Sequence, residues 1–196
     1  LERPRRLLVL QRFQRLLMIA HICVLRLSAI ATNQRALAAK LSISLLRECG
    51  DIPWDKAFAQ AGTCCDDVNW QGLSYMFYNR FIDILDAMED NDTSTIENTD
   101  FADTSIPSPM NMRLPKVPYA DDDDSEDIRN KVLSWALDDG IDSDESERRL
   151  REMLDWASAL TSRFNRSLAG WLTEGGSSGK RDWDNMQELK ELSRLD

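Results

Sequence analysis

The chain contains few of the residues that mark catalytic, metal-binding or β-sheet proteins. Its 196 residues include one histidine, four cysteines, eight glycines and six prolines. A lone histidine and the absence of a Cys-x-x-Cys pair argue against a Cys/His zinc site. Runs of β-branched residues at period two are also missing, whereas leucine is abundant. We therefore expect an all-α protein.

Catalytic motifs are missing as well. The sequence has no glycine-rich phosphate loop, no G-x-S-x-G and no H-E-x-x-H. A calcium loop starting at Asp121 would place Glu126 at position 6 and Val132 at position 12, where glycine and a bidentate acid are needed. We predict that the chain is not an enzyme and uses no cofactor or metal.

Charge is distributed unevenly along the chain. The net charge is −10; residues 1–80 carry 11 Lys/Arg against 6 Asp/Glu, whereas residues 81–196 carry 13 against 28. The two parts thus have net charges of +5 and −15, which would let them face different partners. Basic residues alternate with apolar ones and form no stripe, so we do not expect nucleic-acid binding.

Residues 1–90 are predicted to form helical hairpins. The first helix, from Pro4 to about Leu27, is apolar on most sides and is predicted to be buried between neighbours. Its strongly apolar run of about a dozen residues is short for a membrane span, so we expect no membrane insertion. Three further helices follow, with predicted starts at Thr32 or Asn33, at Asp51, and at Asp67 or Asn69.

The fourth of these helices has the clearest apolar face, and Arg80 and Asp83 are predicted to stand on its outer side. The face contains five residues at helical spacing: Leu73, Phe77, Phe81, Ile84 and Met88.

Residues 91–127 are predicted to form an acidic, proline-containing strap or linker. Apolar residues separated by prolines allow an ordered strap over the helices, and the same composition allows a disordered linker. Residues 128–196 are predicted to hold C-terminal helices, one of them from Ser143 or Asp144 to Thr173, with a Gly/Ser joint at 175–179 and a last helix over about Asp182 to Leu195. Helices too apolar to stand alone, joined by short turns, indicate an α-solenoid or a helical bundle.

An ordered series of short elements lies between Leu37 and Pro107. It contains Ile52-Pro53-Trp54, Trp70-Gln71-Gly72, Asn79-Arg80-Phe81 and Asp103-Thr104-Ser105-Ile106-Pro107. In combination, these elements resemble the C-terminal region of the intraflagellar transport protein 172 family. The resemblance implies an α-solenoid of tetratricopeptide-like helical hairpins.

The resemblance also implies a function. It predicts a non-catalytic scaffold or adaptor segment of a subunit of intraflagellar transport complex B, supporting train assembly, cargo transport and cilium assembly. Expected partners are other complex B subunits and complex A, with an indirect link to kinesin and dynein. The expected location is the cilium or flagellum and the basal body, on the cytoplasmic face. Candidate structural or partner-contact residues are Trp70, Phe77, Asn79, Arg80, Phe81, Phe101, Asp103 and Ile106.

Two alternatives stay open at this point. Some family members end in a U-box-like domain, which would make the C-terminal part a ubiquitin-ligase-like or ubiquitin-binding module. Residues 141–196 depart from that pattern, because they contain no proline and have a helical pattern. The other alternative is a generic helical-repeat adaptor that acts outside cilia.

Overall fold

Six α-helices follow one another along the part of the chain that the structure, a computed structural model, describes: residues 2–97, 99–109, 113–118, 122–137 and 141–173. No strand occurs in these ranges, so the all-α prediction is confirmed. The helices are α1 (Glu2–Ala31), α2 (Arg35–Leu46), α3 (Trp54–Asp66), α4 (Gln71–Asp90), α5 (Asp122–Ala136) and α6 (Ser143–Thr173).

The first four helices pack in sequence order, each against the next, as expected for hairpins of an α-solenoid. Helix α5 then packs on α4, and the long α6 packs on both α2 and α4. The tetratricopeptide character of the hairpins and the division into three segments stay predictions. The Gly/Ser joint at 175–179 and the helix predicted over Asp182 to Leu195 lie outside the described residues.

Asparagines end three of the helices in the left-handed conformation. Asn33, Asn69 and Asn91 have φ angles of 56°, 58° and 52°. After each of them, the next backbone N–H donates to a carbonyl five residues earlier: Gln34 to Ala29 at 2.8 Å, Trp70 to Cys65 at 2.9 Å and Asp92 to Ala87 at 3.0 Å. This is the Schellman pattern, in which asparagine replaces the usual glycine.

These turns correct the predicted helix starts. Thr32 or Asn33, Asp51, and Asp67 or Asn69 were expected to cap α2, α3 and α4, but the capping positions are Gln34, Pro53 and Trp70, none with a side-chain cap hydrogen bond. Asn33 and Asn69 terminate the preceding helix because asparagine tolerates a positive φ at little cost. Asparagine favours both the N-cap of a helix and the left-handed position that ends one, so its presence alone could not decide between a helix start and a helix end.

Helix α1 is less buried than its composition suggested. Met18, Ile19, Ile22 and Ala29 are buried, but the side chains nearer the N-terminus are not, with Phe13 64% exposed and Leu8 65% exposed. The prediction that the helix is buried on most sides is therefore wrong for this chain. The described part of the molecule places neighbours against only one side of α1.

The apolar stretch of α1 is also longer than the dozen residues counted from the sequence. By length and composition alone, Leu7–Ala31 could cross a membrane, although core helices and signal sequences meet the same criterion. Half-buried His21 lies on this helix, with its ring centroid 5.5 Å from that of Phe164 on α6. Burial lowers the pKa of His21. The helix thus packs against α2 and touches α6, and the absence of membrane insertion stays a prediction.

Candidate functional site

Aromatic side chains from α3, α4 and the strap meet in one buried cluster. The ring centroids of Phe58 and Phe77 are 6.3 Å apart, those of Phe58 and Phe101 5.6 Å, and those of Phe77 and Phe101 6.1 Å, the last pair nearly parallel. All three residues are at most 1% exposed. Aromatic rings at these distances stabilise the fold by more than the burial of their surface alone accounts for. Phe101 therefore joins the strap to the core of the α3–α4 hairpin.

Arg80 lies inside this cluster, and its predicted place on the outer side of α4 is wrong. The residue is 3% exposed, and its Nη2 donates to the backbone carbonyl of Glu97 at 2.6 Å. Its Cζ lies 4.9 Å from the centre of the Phe101 ring, and Nε is 3.8 Å from the Asp83 carboxylate. Burial lowers the pKa of Arg80, and the Asp83 charge opposes that shift. The guanidinium thus holds the strap through both its backbone and its aromatic ring.

A local turn presents the second buried residue of the strap. Thr104 donates from its hydroxyl to the carbonyl of Phe101 at 2.7 Å and accepts the backbone N–H of Ile106 at 3.2 Å. The turn leaves Ile106 5% exposed and Asp103 on the surface. The element Asp103-Thr104-Ser105-Ile106-Pro107 is therefore a turn that places Ile106 in the core.

The other candidate residues lie elsewhere. Phe81 is fully buried in the main core, whereas Asn79 is half-buried on α4. Trp70 is also half-buried and lies under the guanidinium of Arg149 on α6, whose Cζ is 5.4 Å from the ring centre. The structure thus brings Phe77, Arg80 and Phe101 together, and it puts Trp70 at a separate contact with α6.

A close contact with α6 explains why the element Trp70-Gln71-Gly72 ends in a glycine. A Cβ at this position would overlap the hydroxyl of Ser146, a 7% exposed residue of α6. The Ser146 hydroxyl also donates to the carbonyl of Asp142 at 2.7 Å. The start of α4 and the start of α6 therefore approach more closely than any other residue at position 72 would allow.

We expect Gly72→Ala to displace α6 from α4. The overlap falls on a hydrogen-bonded, buried hydroxyl, and overpacking of this kind typically costs about 1–3 kcal/mol of unfolding free energy. Alanine at the half-buried residue Gly170, where an added Cβ meets nothing within 4 Å, is the control and should be neutral or slightly stabilising. Urea unfolding of both variants gives the comparison, and equal midpoints would contradict the tight contact.

Potential metal ligands and cysteines among the described residues bear on whether the chain has a catalytic site. Within those ranges, no three His, Cys, Asp or Glu side chains gather in a way that could hold a metal ion. All four cysteines are free, and Cys49, Cys64 and Cys65 are buried. Burial raises the pKa of each of these three thiols, which disfavours the reactive thiolate. Cys49 lies in the turn after α2.

Sequence reasoning missed two surfaces. The first is the set of exposed apolar residues of α1, which were expected to be covered. It includes Leu7, Leu8, Val9, Leu10, Phe13, Val24, Leu27 and Ile30. The second is a groove between α1 and α5, formed by residues far apart in the chain. The acidic residues at the start of α5 were the one sign of it in the sequence.

Comparison with known proteins agrees with the resemblance seen in the short elements. A rat protein, intraflagellar transport protein 172 homolog, is 35% identical over 133 residues, which are 67% of this chain. Intraflagellar transport protein 172 of Chlamydomonas reinhardtii is also 35% identical over 133 residues, and the osm-1 protein of Caenorhabditis elegans is 24% identical over 136. No family model matches the chain. The matched part of this chain belongs to the intraflagellar transport protein 172 family.

The predicted resemblance is therefore confirmed. The matches cover about 8% of the length of these relatives, so the chain corresponds to a small part of a long intraflagellar transport protein. In this segment of the intraflagellar transport protein 172 family, several of the elements that carry the resemblance are packing elements: Trp70 and Gly72 meet α6, Arg80 holds the strap, and Ile106 lies in the core.

Proposed function

We propose that the chain is a non-catalytic scaffold and adaptor segment of a complex B subunit in intraflagellar transport, which supports train assembly, cargo transport and cilium assembly. The observation that carries the proposal is the match to intraflagellar transport proteins over two thirds of the chain. Its proposed partners are other complex B subunits and complex A, with an indirect link to kinesin and dynein. Its proposed location is the cilium or flagellum and the basal body, on the cytoplasmic face.

The packing of the strap and of α6 on the hairpins supports the proposed scaffold role. Phe101, Arg80 and the turn at Thr104 hold the strap on the hairpins, and α6 connects α2 with α4 through contacts such as Arg47 to Ser158 at 3.0 Å. A segment tied together in this way presents a fixed surface to partners. Stacked helices bind through such extended surfaces, which is the mode expected of a helical-repeat adaptor.

Deletion of residues 37–137 from the full-length protein tests the proposal in ciliated cells. We expect the tagged wild-type protein to move along the cilium and the deletion to impair cilium assembly. A second variant, Gly72→Ala, keeps the chain length and should give a milder defect in the same direction. Binding of the isolated chain to complex B should weaken with salt if its acidic residues take part, since exposed charges are screened beyond about 8 Å at physiological ionic strength.

Two results would overturn the proposal. The first is normal cilia in cells that carry only the deletion. The second is discharge of ubiquitin from a conjugating enzyme by the purified chain, which would favour the ubiquitin-ligase-like alternative.

A further inference from the structure

An open groove of about 600 Å³ runs between the C-terminal half of α1 and helix α5, with α3 as its floor. The floor contains small or buried side chains, Ala59 and Cys64 among them, both 7% exposed. Leu27 and Ile30 of α1 form one wall and are 59% and 54% exposed, and Ile128 lies on the opposite wall. We call this the α1–α5 groove. It offers an apolar surface that the described residues leave open.

Carboxylates line the rim of the α1–α5 groove. Asp67 at the end of α3 and Asp124 and Asp127 on α5 are exposed, and none has an ion-pair partner among the residues described. Two basic groups face these three carboxylates: Lys131 pairs with the Asp66 carboxylate, and Arg26 keeps its charge while it donates to the neutral side chain of Gln60. The groove therefore combines apolar walls with an excess of negative charge.

The length of the α1–α5 groove suits a bound helix. The lining extends from Ala59 to Asp67 on α3 and from Asp124 to Lys131 on α5, about two helical turns on each. A helix lying along this length would place apolar side chains at i and i+4 against Leu27, Ile30 and Ile128. Its flanking residues would reach the rim carboxylates.

We propose that the α1–α5 groove binds an amphipathic helix of a partner protein whose apolar face is flanked by Lys or Arg. Charge complementarity selects this occupant, because an acidic helix would meet Asp67, Asp124 and Asp127 at close range. The inference deepens the proposed adaptor function by assigning one contact surface and the chemistry of its partner. The apolar side chains supply contact area, and the charges supply selectivity.

The experiment uses the 196-residue chain and a fluorescent synthetic helix built from leucine and lysine at helical spacing. A matched peptide with glutamate in place of lysine is the control ligand. The test variants are Asp124→Asn with Asp127→Asn, and Leu27→Asp. The control variant, Glu89→Gln with Asp155→Asn, changes the net charge by the same amount at exposed sites outside the groove. Melting curves verify that every variant is folded.

We expect the lysine peptide to bind the wild-type chain and the control variant equally. The double asparagine variant should bind about 2- to 30-fold more weakly, the range expected for the loss of two exposed ion pairs. Leu27→Asp should weaken binding more than tenfold, because it puts a charge into the apolar wall. Binding should also fall as salt is raised.

Three results would overturn the proposal. They are equal binding of the glutamate peptide, equal loss of binding in the control variant, and self-association in sedimentation that the groove variants abolish. The last result would make a second copy the occupant. None of these results bears on transport in cilia, which is measured in cells, so failure of the groove and failure of the proposed function are distinguishable.

Discussion

Phe77→Ala is expected to lower the free energy of unfolding by about 3–5 kcal/mol, the range for truncating a fully buried phenylalanine. Phe77 is 0% exposed and touches both Phe58 and Phe101, so its removal leaves a cavity bordered by α3, α4 and the strap. Urea unfolding monitored by circular dichroism measures the change. Since a small domain is commonly stable by only about 5–15 kcal/mol, this loss would remove a large fraction of its stability.

Phe13→Ala is the matched control for this change. It deletes the same atoms from a side chain that is 64% exposed, and alanine favours helices. Its unfolding free energy should stay within about 0.5 kcal/mol of wild type, as is usual for surface substitutions. If both variants lost the same stability, the aromatic cluster would not be the core that the structure shows.

Arg80→Ala should release the strap, with an expected loss of about 2–4 kcal/mol. The hydrogen bond from the guanidinium to the Glu97 carbonyl accounts for about 1.5–3 kcal/mol of this, and the contact with the Phe101 ring accounts for most of the rest. Arg80→Lys should recover only part of the loss, because an ammonium cannot stack its charge on the ring and donate in the guanidinium's planar geometry.

Hydrogen exchange separates release of the strap from general destabilisation. In Arg80→Ala, the amide of Ile106, which donates to Thr104, should exchange faster relative to amides in the middle of α3. The control, Arg166→Ala, changes an exposed arginine on α6. It should leave the exchange rates of the Ile106 amide and of the α3 amides unchanged. Uniform acceleration of exchange over all helices in Arg80→Ala would show that the arginine supports the whole core and not the strap in particular.

The helices and most of their inward faces could be predicted from the sequence. Leu73, Phe77, Phe81 and Ile84 were expected on one apolar face of the fourth helix and are at most 1% exposed. The helix predicted to start at Ser143 or Asp144 and to reach Thr173 runs from Ser143 to Thr173. Such features depend on local periodicity and helix propensity, which neighbouring residues alone determine.

The environment of Arg80 could not be predicted in the same way. Helical spacing puts it beside Asp83 and suggested a solvent-facing pair. Only the return of the strap later in the chain supplies the Glu97 carbonyl, 17 residues after Arg80, and the Phe101 ring that bury it. A charged side chain can be buried where such partners satisfy it, and those partners are distant in sequence.

By itself, the sequence determined the all-α class, the order of the helices and the resemblance to intraflagellar transport protein 172. Tertiary structure alone decided that α6 packs on α2 and α4, that Gly72 meets Ser146, and that one side of α1 stays open above an acidic groove. The physical reason is the range of the interactions. Propensity and periodicity act within a few turns of helix, whereas burial depends on which distant surfaces meet when the chain folds back on itself.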